Sequence, residues 1–123
     1  MSSVTTVLVL LVAALHVYIL VLEMFLWRTP RGLRAFGIDQ AFADQSASLA
    51  ANQGLYNGFL AAGLLWSVLA GDPVGFQAKV FFLGCVVVAG LYGGATVNRR
   101  ILLIQALPAA VVLALVLWVN ANP

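Results

Sequence analysis

An all-α, four-helix transmembrane bundle is the architecture this sequence predicts, and three observations predict it. Of the 123 residues, 63% are hydrophobic and 8% charged, with a mean hydropathy of +1.06, too apolar for a soluble domain of ordinary composition. Four apolar stretches, at about 4–27, 46–70, 74–97 and 101–118, are each long enough to cross a bilayer, for which about 20 helical residues suffice. The breaks between them hold the helix-stopping residues and most of the charges. The chain from 1 to 123 is read as a single integral membrane domain with short connections and one longer interfacial loop.

The first helix, Val4 to Trp27, is stopped by Thr29-Pro30 and Gly32, because proline cannot continue the hydrogen-bond ladder and the residue before it avoids helical geometry. Trp27 and Arg28 mark an interface. The loop from Arg28 to Gln45 mixes Arg28, Arg31, Arg34, Asp39 and Asp44 with Leu33, Phe36, Ile38 and Phe42, a composition that suits a segment lying on the membrane surface. Asp44 or Ser46 caps the second helix, and Gly71-Asp72-Pro73 turns into the third, with Asp72 as N-cap and Pro73 at the first helical position. Lys79 falls in the first two turns of that helix. Asn98-Arg99-Arg100 is so short a link that the third and fourth helices must be antiparallel neighbours, and Pro108 predicts a kink in the fourth.

The net charge of +2 is better explained by topology than by a nucleic-acid partner. Arg28, Arg31, Arg34, Arg99 and Arg100 fall on one side of a four-span arrangement and only Lys79 on the other, so the arginine side is expected to be cytoplasmic and both termini outside. The single cysteine, Cys85, lies in an apolar span and leaves the redox compartment open. No basic n-region precedes the first apolar run, so no cleavable signal peptide is expected.

The segment Asn52-Gln53-Gly54-Leu55-Tyr56-Asn57-Gly58 puts three amides into strongly apolar surroundings. On a helix Asn52 and Tyr56 share a face, Gln53 and Asn57 an adjoining one, and Gly54 and Gly58 point nearly the opposite way. Amides facing lipid leave donors and acceptors unpaired at several kcal/mol each, so they must face protein, water or a ligand. Gly54-x-x-x-Gly58 and Gly90-x-x-x-Gly94 have the spacing that lets helix backbones approach, within a protomer or between two copies.

Helix one carries His16 and Glu23, seven residues apart on one face and separated by about 10 Å along the axis. Depth matching from the cytoplasmic helix ends puts Glu23 beside Asn52 and Gln53, with Tyr92 and Gln105 at the same level, and puts His16 near Tyr56 and Asn57. Cys85, Ala89, Tyr92 and Thr96 lie along one stripe. The expected site therefore has Glu23 and His16 as acid and base, with Asn52, Gln53, Tyr56, Asn57, Tyr92, Thr96 and Gln105 binding the ligand. Three other readings stand beside it: a hydrogen-bonded plug, a Glu23 carboxylate paired with Arg28 or Arg31, and a purely structural His16 hydrogen bond. No metal-ligand spacing, cofactor motif or Ser/His/Asp arrangement is present, and Gly93-Gly94 lies within a span and is no phosphate loop.

His16, Glu23-Met24-Phe25-Leu26-Trp27, Phe36-Gly37, the amide motif at 52–58 and Gly90-Leu91-Tyr92-Gly93 together resemble the small bacterial four-helix membrane proteins catalogued as domain of unknown function 1304. The resemblance covers nearly the whole chain. It implies four spans and a location in the bacterial inner membrane, and it supplies no catalytic residues.

The residues then favour a membrane-embedded pocket for an apolar or amphipathic small molecule, with membrane lipid as a partner and isomerase-type acid/base chemistry as the reaction class. Proton-coupled export is the first alternative; the strong arginine bias argues against the inverted pairing that commonly builds alternating access. An accessory or scaffold role, with the glycine faces docking another membrane protein, is the second.

Overall fold

The computed structural model of the protein describes residues 2–123, and within them the chain is helical with no strand. Its elements are α1 (Ser3–Met24), α2 (Pro30–Phe36), α3 (Gln40–Leu69), α4 (Val74–Thr96), a π turn (Leu102–Ala106) and α5 (Leu107–Ala121). The chain divides into two compact units, one of Ala14–Ala61 and one of residues 2–13 with Ala62–Pro123.

The expected loop, which lies in the Ala14–Ala61 unit, is largely helical, so the described residues form five α-helices instead of four. α1 stops at Met24, a turn before Trp27: the N–H groups of Phe25 and Leu26 both reach back to the Val21 carbonyl, at 3.0 and 3.1 Å. Thr29 then reverses the chain. Its Oγ1 donates to the Leu26 carbonyl at 2.7 Å and accepts from the Gly32 N–H at 3.4 Å, so Thr29 caps α2 with Pro30 at the first helical position, where its missing N–H costs nothing. Thr29-Pro30 thus ends one helix and begins another. Gly32 is required by close approach, because a Cβ there would collide with the Leu26 carbonyl oxygen and come within 2.8 Å of that of Trp27. Gly37 ends α2 in the left-handed conformation, φ 63°.

α3 starts at Gln40 and not near Ser46, because Asp39 supplies the cap: its Oδ1 accepts from the Phe42 N–H at 2.8 Å. Asp44 and Ser46, expected as caps, are interior to the helix. Asp44 accepts from Gln40 Nε2 at 2.9 Å, and Ser46 Oγ donates back to the Phe42 carbonyl at 2.6 Å.

The second unit is built on a core of Val9, Val12, Ala13, Leu64, Leu83, Val112 and Val116. α4 begins at Val74 with Pro73 at the cap position, one residue later than expected, and Asp72 stands just before the cap, its Oδ1 accepting from the Phe76 N–H at 3.1 Å. Asn98-Arg99-Arg100 makes the tight link to the following helix, with Asn98 Oδ1 accepting from the Arg100 N–H at 2.9 Å. Pro108 has no N–H to offer the preceding turn. The disturbance expected there takes the form of the π turn, in which the Leu107 N–H reaches five residues back to the Leu102 carbonyl. Gly90 of α4 lies against that turn, where a Cβ would meet the Ala106 nitrogen at 2.6 Å, and Gly94 lies against Leu102.

Among the described residues three helices are long and apolar enough to cross a membrane: α1, α4 and the helix running Leu102–Ala121. The chain is a helical membrane protein. α3 is the longest helix, at 30 residues, and is not among those three; its amides and serines dilute the apolar run.

Candidate functional site

The site begins with the packing of α3 on α1. A Cβ at Gly54 would stand 2.5 Å from Met24 Cγ, 3.2 Å from Glu23 Cβ and 3.3 Å from the Leu20 carbonyl oxygen, and one at Gly58 would stand 2.8 Å from Leu20 Cδ1. The two glycines let the helices close together at the end of α1. Asn57 lies on the same side, and its Nδ2 donates to Glu23 Oε1 at 2.6 Å and to the Gln53 carbonyl, one turn back in its own helix, at 3.1 Å. The glycine face and part of the amide face are therefore one contact surface, not opposite sides of the helix. The glycines meet neighbouring helices of the same protomer, here and at Gly90 and Gly94.

The observed register refines the depth matching. Glu23 stands at Gly54 and bonds Asn57, instead of meeting Asn52 and Gln53. Carrying the register one to two turns deeper puts His16 at the level of Ala61, not of Tyr56 and Asn57. His16 is fully buried and engaged in an interaction of its own, and among the described residues no buried side-chain nitrogen or oxygen lacks a hydrogen-bond partner.

Asn52 and Gln53 are exposed, as is Tyr56, whose ring is tilted against Phe59 at 6.1 Å. Gln53 contributes to the Glu23 cluster through its backbone carbonyl only. Tyr92, Thr96 and Gln105 belong to the other unit. There Tyr92 is 72% exposed, Thr96 Oγ1 donates to the Tyr92 carbonyl at 2.7 Å, and Gln105 is half-buried in the π turn with an interaction of its own. The structure thus joins Glu23 to Asn57, and leaves Asn52, Gln53 and Tyr56 facing outward from the helix.

Beside Glu23 lies a cavity of about 290 Å³ lined by Glu23, Met24, Phe25, Trp27, Arg28, Thr29 and Ala47. Its wall is held by the α1–α2 corner. The Trp27 ring packs on Phe36 with centroids 4.8 Å apart, and its Nε1 donates to Ser46 Oγ on α3 at 3.1 Å. Trp27, Thr29 and Ala47 line this cavity without having been singled out from the sequence as site residues, and Arg28 was weighed there only as an ion-pair partner for Glu23. The signal was present, since Trp27-Arg28-Thr29-Pro30 follows Glu23 within a few residues, but it was used to mark a membrane boundary, to stop the first helix and to offer Arg28 as a partner for Glu23. Among the described residues no group of three or more His, Cys, Asp or Glu is placed to hold a metal ion.

The chain is 32% identical over 107 residues to the protein named Uncharacterized protein YpaA of Lactococcus lactis subsp. lactis (strain IL1403), an alignment covering 85% of this chain and 89% of that relative. No solved structure matches the chain. The family model described as Protein of unknown function (DUF1304) matches residues 10–117, a span that holds the Glu23–Asn57 pair, the glycine contacts and the whole cavity wall. With nearly its full length matched in this way, the chain belongs to the DUF1304 family.

Proposed function

We propose that the Glu23 cavity binds an amphipathic small molecule drawn from the membrane and that Glu23 exchanges a proton with it, isomerase-type acid/base chemistry being the reaction class. The observation that carries this reading is that one carboxyl group is both held and accessible: Asn57 grips Oε1 at 2.6 Å while Glu23 lines the cavity. A neutral amide orients a carboxyl group without fixing its charge, which leaves it able to give and take a proton. His16 lies outside the cavity lining and is fully buried in α1. Asn52, Gln53 and Tyr56 offer contacts to a ligand only from outside the cavity.

Glu23→Gln is expected to melt like the wild type, because the amide keeps the shape and can still accept from Asn57, while turnover falls about 10²–10⁴-fold. Ala47→Trp fills the cavity and is expected to remove any amphiphile that co-purifies, read by native mass spectrometry. Full turnover by Glu23→Gln would overturn the acid/base role, and an unchanged co-purifying amphiphile in Ala47→Trp would overturn the cavity as the binding site.

The same reading puts the protein in the bacterial inner membrane, with α3 as a fourth crossing, both termini outside and the α2 region cytoplasmic. It is supported by the five arginines on one side of such an arrangement. Ser2→Cys and Asn122→Cys, each in a Cys85→Ser background, are expected to react with an impermeant maleimide in intact spheroplasts. Reaction only after permeabilisation would reverse the orientation, and reaction of one site alone would leave α3 outside the set of crossings.

A further inference from the structure

We propose that the occupant of the Glu23 cavity is the headgroup of a zwitterionic phospholipid, with its ammonium at Glu23 and its phosphate at Arg28. This rests on the reading of the cavity as a binding site and names the class of its ligand. Glu23 and Arg28 are the two charged residues of the lining, one of each sign. A purely anionic headgroup would bring its charge to Glu23 as well as to Arg28, and an apolar ligand would desolvate both without pairing either. A zwitterion complements each. Asn57 takes one acceptor site of the Glu23 carboxylate, which has about four, so an ammonium bearing N–H groups has lone pairs to bond. Ethanolamine therefore fits better than choline, whose nitrogen carries no N–H.

Size and position favour a lipid headgroup over a whole soluble ligand. At about 290 Å³ the cavity lies at the lower limit of drug-binding pockets, about 300 Å³, so it takes a headgroup while the acyl chains remain outside. An apolar path for them begins at the rim, where Phe25 is 69% exposed. The cavity also sits where α1 ends, at Trp27 and the first of the arginines Arg28, Arg31 and Arg34, all three exposed. Tryptophan and arginine together mark the headgroup level of a membrane.

The test uses the full-length protein in nonionic detergent with Trp66→Phe and Trp118→Phe, both at exposed positions, so that fluorescence reports Trp27 in the cavity wall. The probes are dihexanoyl lipids with phosphoethanolamine, phosphocholine and phosphoglycerol headgroups, with neutral dihexanoylglycerol and free phosphoethanolamine. The ethanolamine lipid is expected to bind about tenfold or more tightly than the glycerol lipid. Glu23→Gln should abolish that preference by weakening the ethanolamine lipid alone, and Arg28→Gln should weaken all three phospholipids. Equal binding of the three phospholipids, or a preference that survives in Glu23→Gln, overturns the assignment. Neutral dihexanoylglycerol binding as tightly as the ethanolamine lipid overturns it too, but leaves the cavity an amphiphile site. Free phosphoethanolamine binding as tightly as the lipid rejects a membrane source. No response from any probe removes both this inference and the reading beneath it.

Discussion

Gly90→Ala is expected to destabilise the folded protein by about 1–3 kcal/mol, an overpacking cost, although alanine is the better helix former by about 1 kcal/mol. The reason lies in what the added methyl would meet. At Gly90 it would meet backbone and Cβ atoms of Ala106, at 2.6–2.8 Å, in the π turn that joins α4 to α5. Backbone cannot swing aside as a side-chain end can, so the helices must separate and lose the close contact that drives helix association in lipid, where apolar burial contributes little. Gly54 and Gly94 are expected to tolerate alanine better, because their closest neighbours are the Met24 and Leu102 side chains, which have other rotamers; leucine at either position should still lower the thermal midpoint. Gly84 has nothing within 4 Å, so Gly84→Ala is expected to melt at or above the wild-type temperature. Equal melting of Gly90→Ala and Gly84→Ala in detergent would show that the α4 backbone does not need this proximity.

The helical fold was legible because hydropathy and helix breakers act locally. Proline at 30, 73 and 108 and the runs between them mark most of the elements, and they do so whatever the tertiary packing. What was misjudged depended on caps that only the folded backbone chooses. Thr29 and Asp39 are no more obvious as N-caps than Asp44 and Ser46, yet a turn of geometry at Gly37 decides between them and converts a loop into α2 and the first turns of α3.

The site was legible in part for a similar reason. Glu23, Asn57, Gly54 and Gly58 were singled out because a carboxyl group, an amide and two notches in apolar sequence need partners. Which amide meets Glu23 turns on a register difference of a few residues, and counting from assumed helix ends cannot resolve that. α1 ending at Met24, with α3 continuing to Gln40, moves the origin of the count and leaves Asn52 and Gln53 outside the contact. A cavity wall made by a chain reversal, as at Trp27, Arg28 and Thr29, carries no periodicity to detect.

Lys79→Met is expected to cost about 1.5–3 kcal/mol, the range for hydrogen bonds made by charged groups. Lys79 is 3% exposed, and its Nζ donates to the Ser67 carbonyl at 2.7 Å, tying α4 to the last turn of α3 across twelve residues of sequence. Ser67 belongs to the last four residues of α3 with Leu69, whose carbonyls have no N–H ahead of them in the helix, and the helix dipole makes that end negative. The ammonium therefore satisfies a stranded acceptor and complements the dipole. Ser67 Oγ is already committed to the Leu64 carbonyl at 2.6 Å, so it does not replace the lysine. Methionine keeps most of the stem and removes the charge, which separates the bond from packing. Two effects oppose each other, since removing a buried charge also recovers its desolvation cost. The loss is expected to win because the carbonyl stays buried and unpaired when the donor goes. Lys79→Gln, which retains an N–H donor, should fall between the two in thermal midpoint. If Lys79→Met melts at or above the wild-type temperature, desolvation outweighs the bond, and the lysine is kept for something other than stability.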